Sequence, residues 1–389
     1  MATFLTGATG YLGAYVAAEL LREGDTLNLL VRAPTPRDAE RRLWRALQYH
    51  ADFADFERCL RERIHIFTGD ITAPDLGLEP DVRRRLVETT DSVVHCAASL
   101  NRRSERACVD SNVRGTLAAL RVAREAGERR AFRRFSLVST VAVAGERSHE
   151  TVQEDAAIDW SRRDYDPYGR TKKLAEMLVR DLLPDAAVTV FRPSIVLGDS
   201  VRPDTTQFDM VRAFSFLAAV PALPMRATDR LDIVPADWVA RSIVHLHRKP
   251  EPRHVTYHLS AGAASPRCHD IAAAVAAATG RTPPVFVPAL AWPADLLAAA
   301  TERIGPLAAR RGAALLRVFL PYLTYDTVFD NSRVVAEIDD EPAPFVPRCV
   351  ALLRWARDAG FRYPHVPWPG EDEESAPNPV PRSAGSFTR

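Results

Sequence analysis

Lysine is almost missing from this chain of 389 residues: it stands only at positions 172, 173 and 249, and the remaining fixed positive charge is arginine. A lysine kept against that bias points to chemistry a planar guanidinium fork does not perform, since an ammonium is a compact charge with rotatable donors. Cysteine is also scarce. The five thiols (59, 96, 108, 268 and 349) are odd in number and widely scattered, without a Cys-x-x-Cys pair or a His/Cys cluster. That excludes a disulfide framework, indicates no metal site and suits reduced, structural thiols in a cytoplasmic protein. An excess of one charge is lacking too: the net charge is +1, so nothing global favours nucleic acid or an anionic membrane as partner. No apolar run approaches the roughly 18 residues of a membrane span. With the first strand beginning this early, no signal peptide is expected, and there is no internal repeat. What is present is a 47% hydrophobic fraction, enough for one large or two modest cores.

The N-terminus opens with Ala2-Thr3-Phe4-Leu5, then Thr6-Gly7-Ala8-Thr9-Gly10-Tyr11-Leu12-Gly13, then a helix-periodic stretch from Ala14 to Glu23. A strand, a glycine-rich turn and a helix are what a dinucleotide pyrophosphate requires. The glycines allow a tight turn and close backbone approach, and the helix N-terminus faces the phosphates. The next strand, Thr26–Arg32, ends on Arg32. A carboxylate there would accept ribose hydroxyls, whereas an arginine offers charge to a 2′-phosphate, which favours NADPH. The competing reading is that Arg32 is one more arginine in an arginine-rich chain.

Pro34 to Leu60 reads as a charged, helical insertion. Ile64–Thr68 is a third strand closing on Gly69-Asp70-Ile71, where Asp70 can accept the adenine amino group. Val93–Ala98 is a fourth, with the small residues Cys96, Ala97 and Ala98 where backbone must run beside a cofactor. His95 within it fits a packed histidine better than a catalytic base. Asn112 falls in the following helix. Phe135–Thr140 is a fifth strand ending on the hydroxyls of Ser139 and Thr140, and Ala187–Phe191 a sixth running into Arg192-Pro193-Ser194. Alternation at this spacing predicts an α/β fold, a Rossmann-type doubly wound parallel sheet. The domain expectation is 1–200 for the NADP-binding Rossmann domain and 201–368 for a smaller, mostly helical substrate-binding region whose late strands can rejoin the core. A disordered tail is expected over 369–389.

The retained lysine lies in Asp166-Pro167-Tyr168-Gly169-Arg170-Thr171-Lys172, a helix start with Asp as N-cap and Pro in the first turn. Tyr168 and Lys172 are i and i+4, on one face and roughly 5–6 Å apart at Cβ. An ammonium there stabilises a phenolate and is expected to lower the tyrosine pKa from about 10 toward neutrality, with the helix N-terminus pushing the same way. The alternative is an amphipathic surface helix with an incidental Tyr and Lys.

Taken in order, Thr6–Gly13, Asp70, Cys96-Ala97-Ala98, Asn112, Ser139-Thr140, Tyr168/Lys172 and Arg192-Pro193-Ser194 resemble the extended short-chain dehydrogenase/reductase superfamily over about residues 2 to 260. The resemblance implies that a strand-end hydroxyl holds the substrate oxygen, that the tyrosine moves the proton, and that the lysine holds the ribose and tunes the tyrosine. Measured back from Gly145, the hydroxyl position falls on Thr140, with Ser139 second. Asn112 matches the superfamily's partly structural helix asparagine, and Pro193 and Ser194 would lie beside the nicotinamide. Leu30-Val31-Arg32-Ala33, Ser139–Val143, Arg192–Ser200 and Asp232–Asp237 further resemble thioester reductase domains of carboxylic acid reductases and peptide synthetases, and fatty acyl-CoA reductases. That resemblance implies NADPH-dependent reduction of an acyl thioester to the aldehyde, and on to the alcohol if a second hydride follows. The chain begins directly at the first strand, so the acyl group is expected from CoA, as a small molecule, or from a separate carrier protein. A homodimer is an open option. An NADP-dependent alcohol or carbonyl (steroid-like) dehydrogenase and a nucleotide-sugar epimerase or dehydratase share the triad and stand as alternatives; a non-catalytic cofactor sensor would not need it.

At the substrate end, Leu231–Val234 and Thr256–Ser260 read as strands, and Trp238–His247 and Cys268–Thr279 as helices. Ala291 to Leu323 is apolar and helical. It is expected first to pack internally, next to line an acyl tunnel, and last to meet a membrane surface.

Overall fold

The computed structural model describes the chain except for residues 130, 156, 185, 218, 219, 291–325 and 371–389. The apolar stretch Ala291–Leu323, with its tunnel and membrane readings, and the tail beyond 370 therefore lie outside the described residues. Seven strands form one sheet: β1 (Ala2–Thr6), β2 (Thr26–Val31), β3 (Ile64–Thr68), β4 (Ser92–His95), β5 (Arg134–Val138), β6 (Val188–Pro193) and β7 (Thr256–Leu259). They lie in the order β7-β6-β5-β4-β1-β2-β3, and every adjacent pair is parallel.

Strands covered on both faces need apolar side chains at successive positions, not at alternate ones. Phe4, Leu30 and Val93 point into one core, and their neighbours Leu5, Leu29 and Val94 into the other. The first core packs under Leu86, Leu120, Ala175 and Val179 of the helices Pro80–Glu88, Gly115–Arg129 and Pro167–Leu182. The second packs under the helices Tyr11–Arg22 and Ala236–Arg248, with Val16, Leu20, Trp238 and Ile243 wholly buried. Helix Ala236–Arg248 and strand β7 both follow residue 200, so late chain takes part in the Rossmann layers. The strand order reverses between β1 and β4, and at such a switch point the carboxyl ends of the strands open a crevice.

The insertion after β2 forms two helices, Pro36–Leu47 and Phe53–Glu62, capped by the side chains of Thr35 and Asp52. The segment 361–370 straps them down: Trp44 Nε1 donates to the Val366 carbonyl at 3.2 Å, and Val366 N donates to Gln48 Oε1 at 2.6 Å. Beyond the sheet, Leu231–Val234 contributes only the pair Ile233–Val234, which lies parallel to Ile195–Val196. Val328–Phe329 likewise pairs with Thr151–Val152. Among the described residues, no helix is long and apolar enough to cross a membrane.

Candidate active site

β1 hands the chain to helix Tyr11–Arg22 through the glycine turn. Gly7 takes φ +81°, and a Cβ there would sit 2.7 Å from the Ala97 amide nitrogen. A Cβ on Gly13 would fall 2.0 Å from the Gly7 carbonyl oxygen, so neither position accepts a side chain. The helix N-cap, Gly10, makes no side-chain cap bond, which leaves first-turn amides for an anion. The cradle therefore fits a dinucleotide pyrophosphate. It is the floor of a cavity of about 630 Å³ that borders every site residue expected from the sequence except Asn112.

At the β2 end of the cavity, Arg32 is 68% exposed and its guanidinium lies 3.5 Å from Asp70 Oδ2. Asp70 Oδ1 accepts from Thr72 N at 2.9 Å and from Thr72 Oγ1 at 2.8 Å. Burial pushes the Asp70 carboxyl up, but the Thr72 bonds and Arg32 hold it below the usual carboxylate range. Arg42, given no role from the sequence, reaches back from helix Pro36–Leu47 to donate to the Arg32 carbonyl at 2.7 Å and also borders the cavity. Two guanidinium groups thus border the β2 end of the cavity. In β4, His95 is packed: it hydrogen-bonds Thr6 Oγ1 at 2.8 Å and Thr116 Oγ1 at 3.1 Å. Burial, then Lys172, push it down to about 3. Cys96 borders the cavity with its thiol pushed up by burial to about 11, which makes it an inert wall.

Helix Pro167–Leu182 presents the candidate acid. Asp166 caps it, accepting from Gly169 N at 2.9 Å. Tyr168 is 8% exposed and faces the cavity, with the Thr140 hydroxyl acting on its phenol from the end of β5; Thr140 Oγ1 accepts from Ala142 N at 3.2 Å. One turn along, the buried Lys172 Nζ donates to the Val138 carbonyl at 2.8 Å. Here the structure departs from expectation. The Tyr168 phenol is not acidified toward neutrality but pushed up to about 12, because burial outweighs the opposing charge of Arg102 and the nearby Thr140 hydroxyl. Lys172 is itself pulled down to about 8 by burial.

Ser139 and Thr140 separate cleanly. Ser139 Oγ donates to Glu176 Oε1 at 2.6 Å, and Glu176 is ion-paired to the buried Arg192 at 2.7 Å. Both residues border the cavity, but the Ser139 hydroxyl is committed to Glu176, while among the described residues Thr140 Oγ1 accepts only from a backbone amide. Asn112 lies in a π-helical turn, Val109–Arg114, outside the cavity wall. Its Nδ2 donates to Thr171 Oγ1 at 2.9 Å and its Oδ1 accepts from Ser99 N at 2.7 Å, tying the loop after β4 to the Tyr168 helix. Pro193 and Ser194 border the cavity at the end of β6. Arg102, in the same loop, was not foreseen; it sat unremarked among neighbouring arginines.

Toward the substrate end the cavity is bordered by Met210, Arg230, Asp232, Asp326 and Phe329. Asp232 accepts from Ser260 Oγ at 2.8 Å and Ala261 N at 2.9 Å, and burial raises its carboxyl to about 6. Among the described residues, the one grouping of metal-type donors is His149, Asp229 and Asp326. Arg226 lies 3.3 Å from His149 Nε2 and Arg230 lies 3.6 Å from Asp326, so arginine already supplies the positive charge there.

Residues 5–243 match the NAD-binding family model described as male sterility protein. The carboxylic acid reductase of Mycobacterium tuberculosis is 32% identical over 287 residues, covering 66% of this chain and 24% of that protein. The isonitrile lipopeptide synthase of the same organism is 36% identical over 214 residues, covering 50% of this chain and 8% of that protein. The chain thus spans a quarter or less of the length of these curated relatives. Among solved structures, the terminal R domain from the myxalamid PKS-NRPS biosynthetic pathway superposes with a TM-score of 0.78 at 26% identity, covering 93% of this chain and 91% of that one. The chain belongs to the male sterility protein family, within the extended short-chain dehydrogenases/reductases.

Proposed function

We propose that this chain reduces an acyl thioester, carried by CoA or by a carrier protein, with NADPH. The observation that carries the reading is one cavity holding both the glycine cradle and the Thr140–Tyr168–Lys172 set, in a chain similar to a carboxylic acid reductase. The cradle of Gly7, Gly10 and Gly13 would hold the pyrophosphate, and Arg32 with Arg42 would hold the 2′-phosphate. When bound, the reduced nicotinamide supplies a hydride to the carbonyl carbon of the thioester.

Thr140 Oγ1 and the Tyr168 hydroxyl hold the carbonyl oxygen. As negative charge develops on that oxygen, Tyr168 Oη delivers its proton. A phenol pushed up by burial is protonated at neutral pH, which is the state a proton donor needs. Lys172, one turn away, stabilises the phenolate left behind. The hemithioacetal so formed collapses to aldehyde and thiol, and repetition on the aldehyde gives the alcohol.

The test follows NADPH consumption with a panel of acyl-CoA thioesters and the matching aldehydes, for the native chain and Tyr168→Phe. Thioester-dependent oxidation with one thiol released per aldehyde, lost in Tyr168→Phe, supports the reading. Turnover of aldehydes alone moves the chain to the alcohol and carbonyl dehydrogenases. Conversion of a nucleotide sugar with tightly held NAD moves it to the epimerases.

A further inference from the structure

The loop that follows β4 brings a fixed charge to the candidate acid. The Arg102 guanidinium carbon lies 5.6 Å from the centroid of the Tyr168 ring. Its Nε lies 3.0 Å from Asp166 Oδ2, and Asp166 is the residue whose other oxygen caps the Tyr168 helix. The Arg102 side chain is only 18% exposed and borders the cavity. Its loop is pinned on both sides. Asn112 holds Ser99 through backbone bonds at 2.7 and 3.2 Å, and Cys108 Sγ donates to the Asn101 carbonyl at 3.2 Å. Arg102 therefore stands at a set distance from the ring, anchored to the helix that carries the ring.

Lys172 is placed differently. Its ammonium is committed to the Val138 carbonyl at 2.8 Å. The groups that act on the Tyr168 phenol are Cys96 from the end of β4, Thr140 from the end of β5, Asp166 from the helix cap and Arg102 from the loop. Burial, Asp166 and Cys96 make the phenol a weaker acid, while Arg102 and Thr140 oppose them.

We propose that Arg102 is a positioning residue for Tyr168, holding the helix N-terminus and a positive charge against the ring so that the buried phenol gives up its proton. This rests on Tyr168 being the proton donor. A unit charge at this distance in a partly buried site, discounted for the Asp166 counter-charge, changes the acidity of the phenol by about one pH unit. That limits the effect on the proton-transfer step to roughly tenfold.

The experiment measures kcat and KM for thioester reduction in Arg102→Met, Arg102→Lys and Tyr168→Phe, with thermal unfolding of each. The expected result is a kcat about tenfold lower in Arg102→Met, KM unchanged for thioester and NADPH, and kcat restored to within about threefold in Arg102→Lys. Should Arg102→Met fail to fold, Arg102→Gln, which keeps a donor for Asp166, carries the same expectation. An unchanged kcat in a folded neutral variant overturns the inference, as does a loss shared equally by Arg102→Lys or seen only in KM. Tyr168→Phe separates the two levels: if it still turns over, the proton-donor reading fails; if it is dead while Arg102→Met is normal, only the role of Arg102 fails.

Discussion

Ser139 and Thr140 are neighbouring hydroxyls with opposite expected phenotypes. Ser139 Oγ donates to Glu176 Oε1 at 2.6 Å, and Arg192 donates to the same carboxylate from Nε at 3.0 Å and from Nη2 at 2.7 Å. All three side chains are buried. Ser139→Ala removes one hydrogen bond to a charged acceptor, typically about 1.5–3 kcal/mol, and leaves the ion pair intact. Glu176→Gln leaves a buried guanidinium without its counter-charge and costs more, about 3–5 kcal/mol. Thr140→Val removes a neutral bond from Ala142 N, about 1 kcal/mol of stability. It also removes a donor to the developing oxyanion, which elsewhere lowers kcat by about 10²–10³. The assay pairs urea unfolding, read from the six tryptophans, with NADPH-dependent turnover. Ser139→Ala should unfold at clearly lower urea with kcat within about threefold of native, and Thr140→Val should lose less stability but show little turnover. A Thr140→Val protein of near-native kcat, or a Ser139→Ala protein that is stable but inactive, would refute the assignment.

Gly13→Ala drives a Cβ to 2.0 Å from the Gly7 carbonyl, so the turn must open and NADPH binding by fluorescence quenching should weaken more than tenfold. Arg32→Ala and Arg42→Ala should each raise KM for NADPH by about 10- to 100-fold, the worth of one charge-assisted contact, and leave KM for NADH unchanged; an equal loss on both cofactors contradicts a 2′-phosphate site. Stability should fall on acidification below about pH 6.5. Burial holds His95, His247 and His258 down near 3 in the fold, so protons bind the unfolded chain first. Each such histidine contributes up to about 1.4 kcal/mol per pH unit below its unfolded pKa. Asp232 and Glu154, raised by burial to about 6 and about 7, act in the opposite sense: their contribution is full below the unfolded carboxyl pKa and is lost as pH rises through those values. Urea midpoints at pH 5, 6 and 7 check the net slope, and a stability rising steadily toward pH 5 would contradict it.

The legible parts of this molecule are the local ones. The glycine turn could be read because strand, turn and helix follow within a few residues of one another. Tyr168 and Lys172 could be paired because i and i+4 share a helix face. Sequence preferred Thr140 to Ser139 only by an offset from Gly145; the physical ground is the partner of Ser139, Glu176, which lies 37 positions away. The sense of the Tyr168 shift was misread for a similar reason. Spacing shows an ammonium nearby, but not that it turns to the Val138 carbonyl or that burial dominates. Arg102 and Arg42 were hidden among equivalent arginines, since only the folded loop and the docked insertion helix bring them to the cavity. β7 pairs with β6 across more than sixty intervening residues, a register no local pattern specifies.

The central claim is transfer of a hydride from the nicotinamide to the carbonyl carbon of an acyl thioester. Its most direct test is a single-turnover reaction of an acyl-CoA with NADPH deuterated at the transferable C4 position, the product trapped and weighed by mass spectrometry. One deuterium on the aldehyde carbon, with one thiol released per NADPH consumed, is the predicted result. Consumption of NADPH without label in the acyl product, or recovery of the intact thioester beside an oxidised nicotinamide, would contradict it.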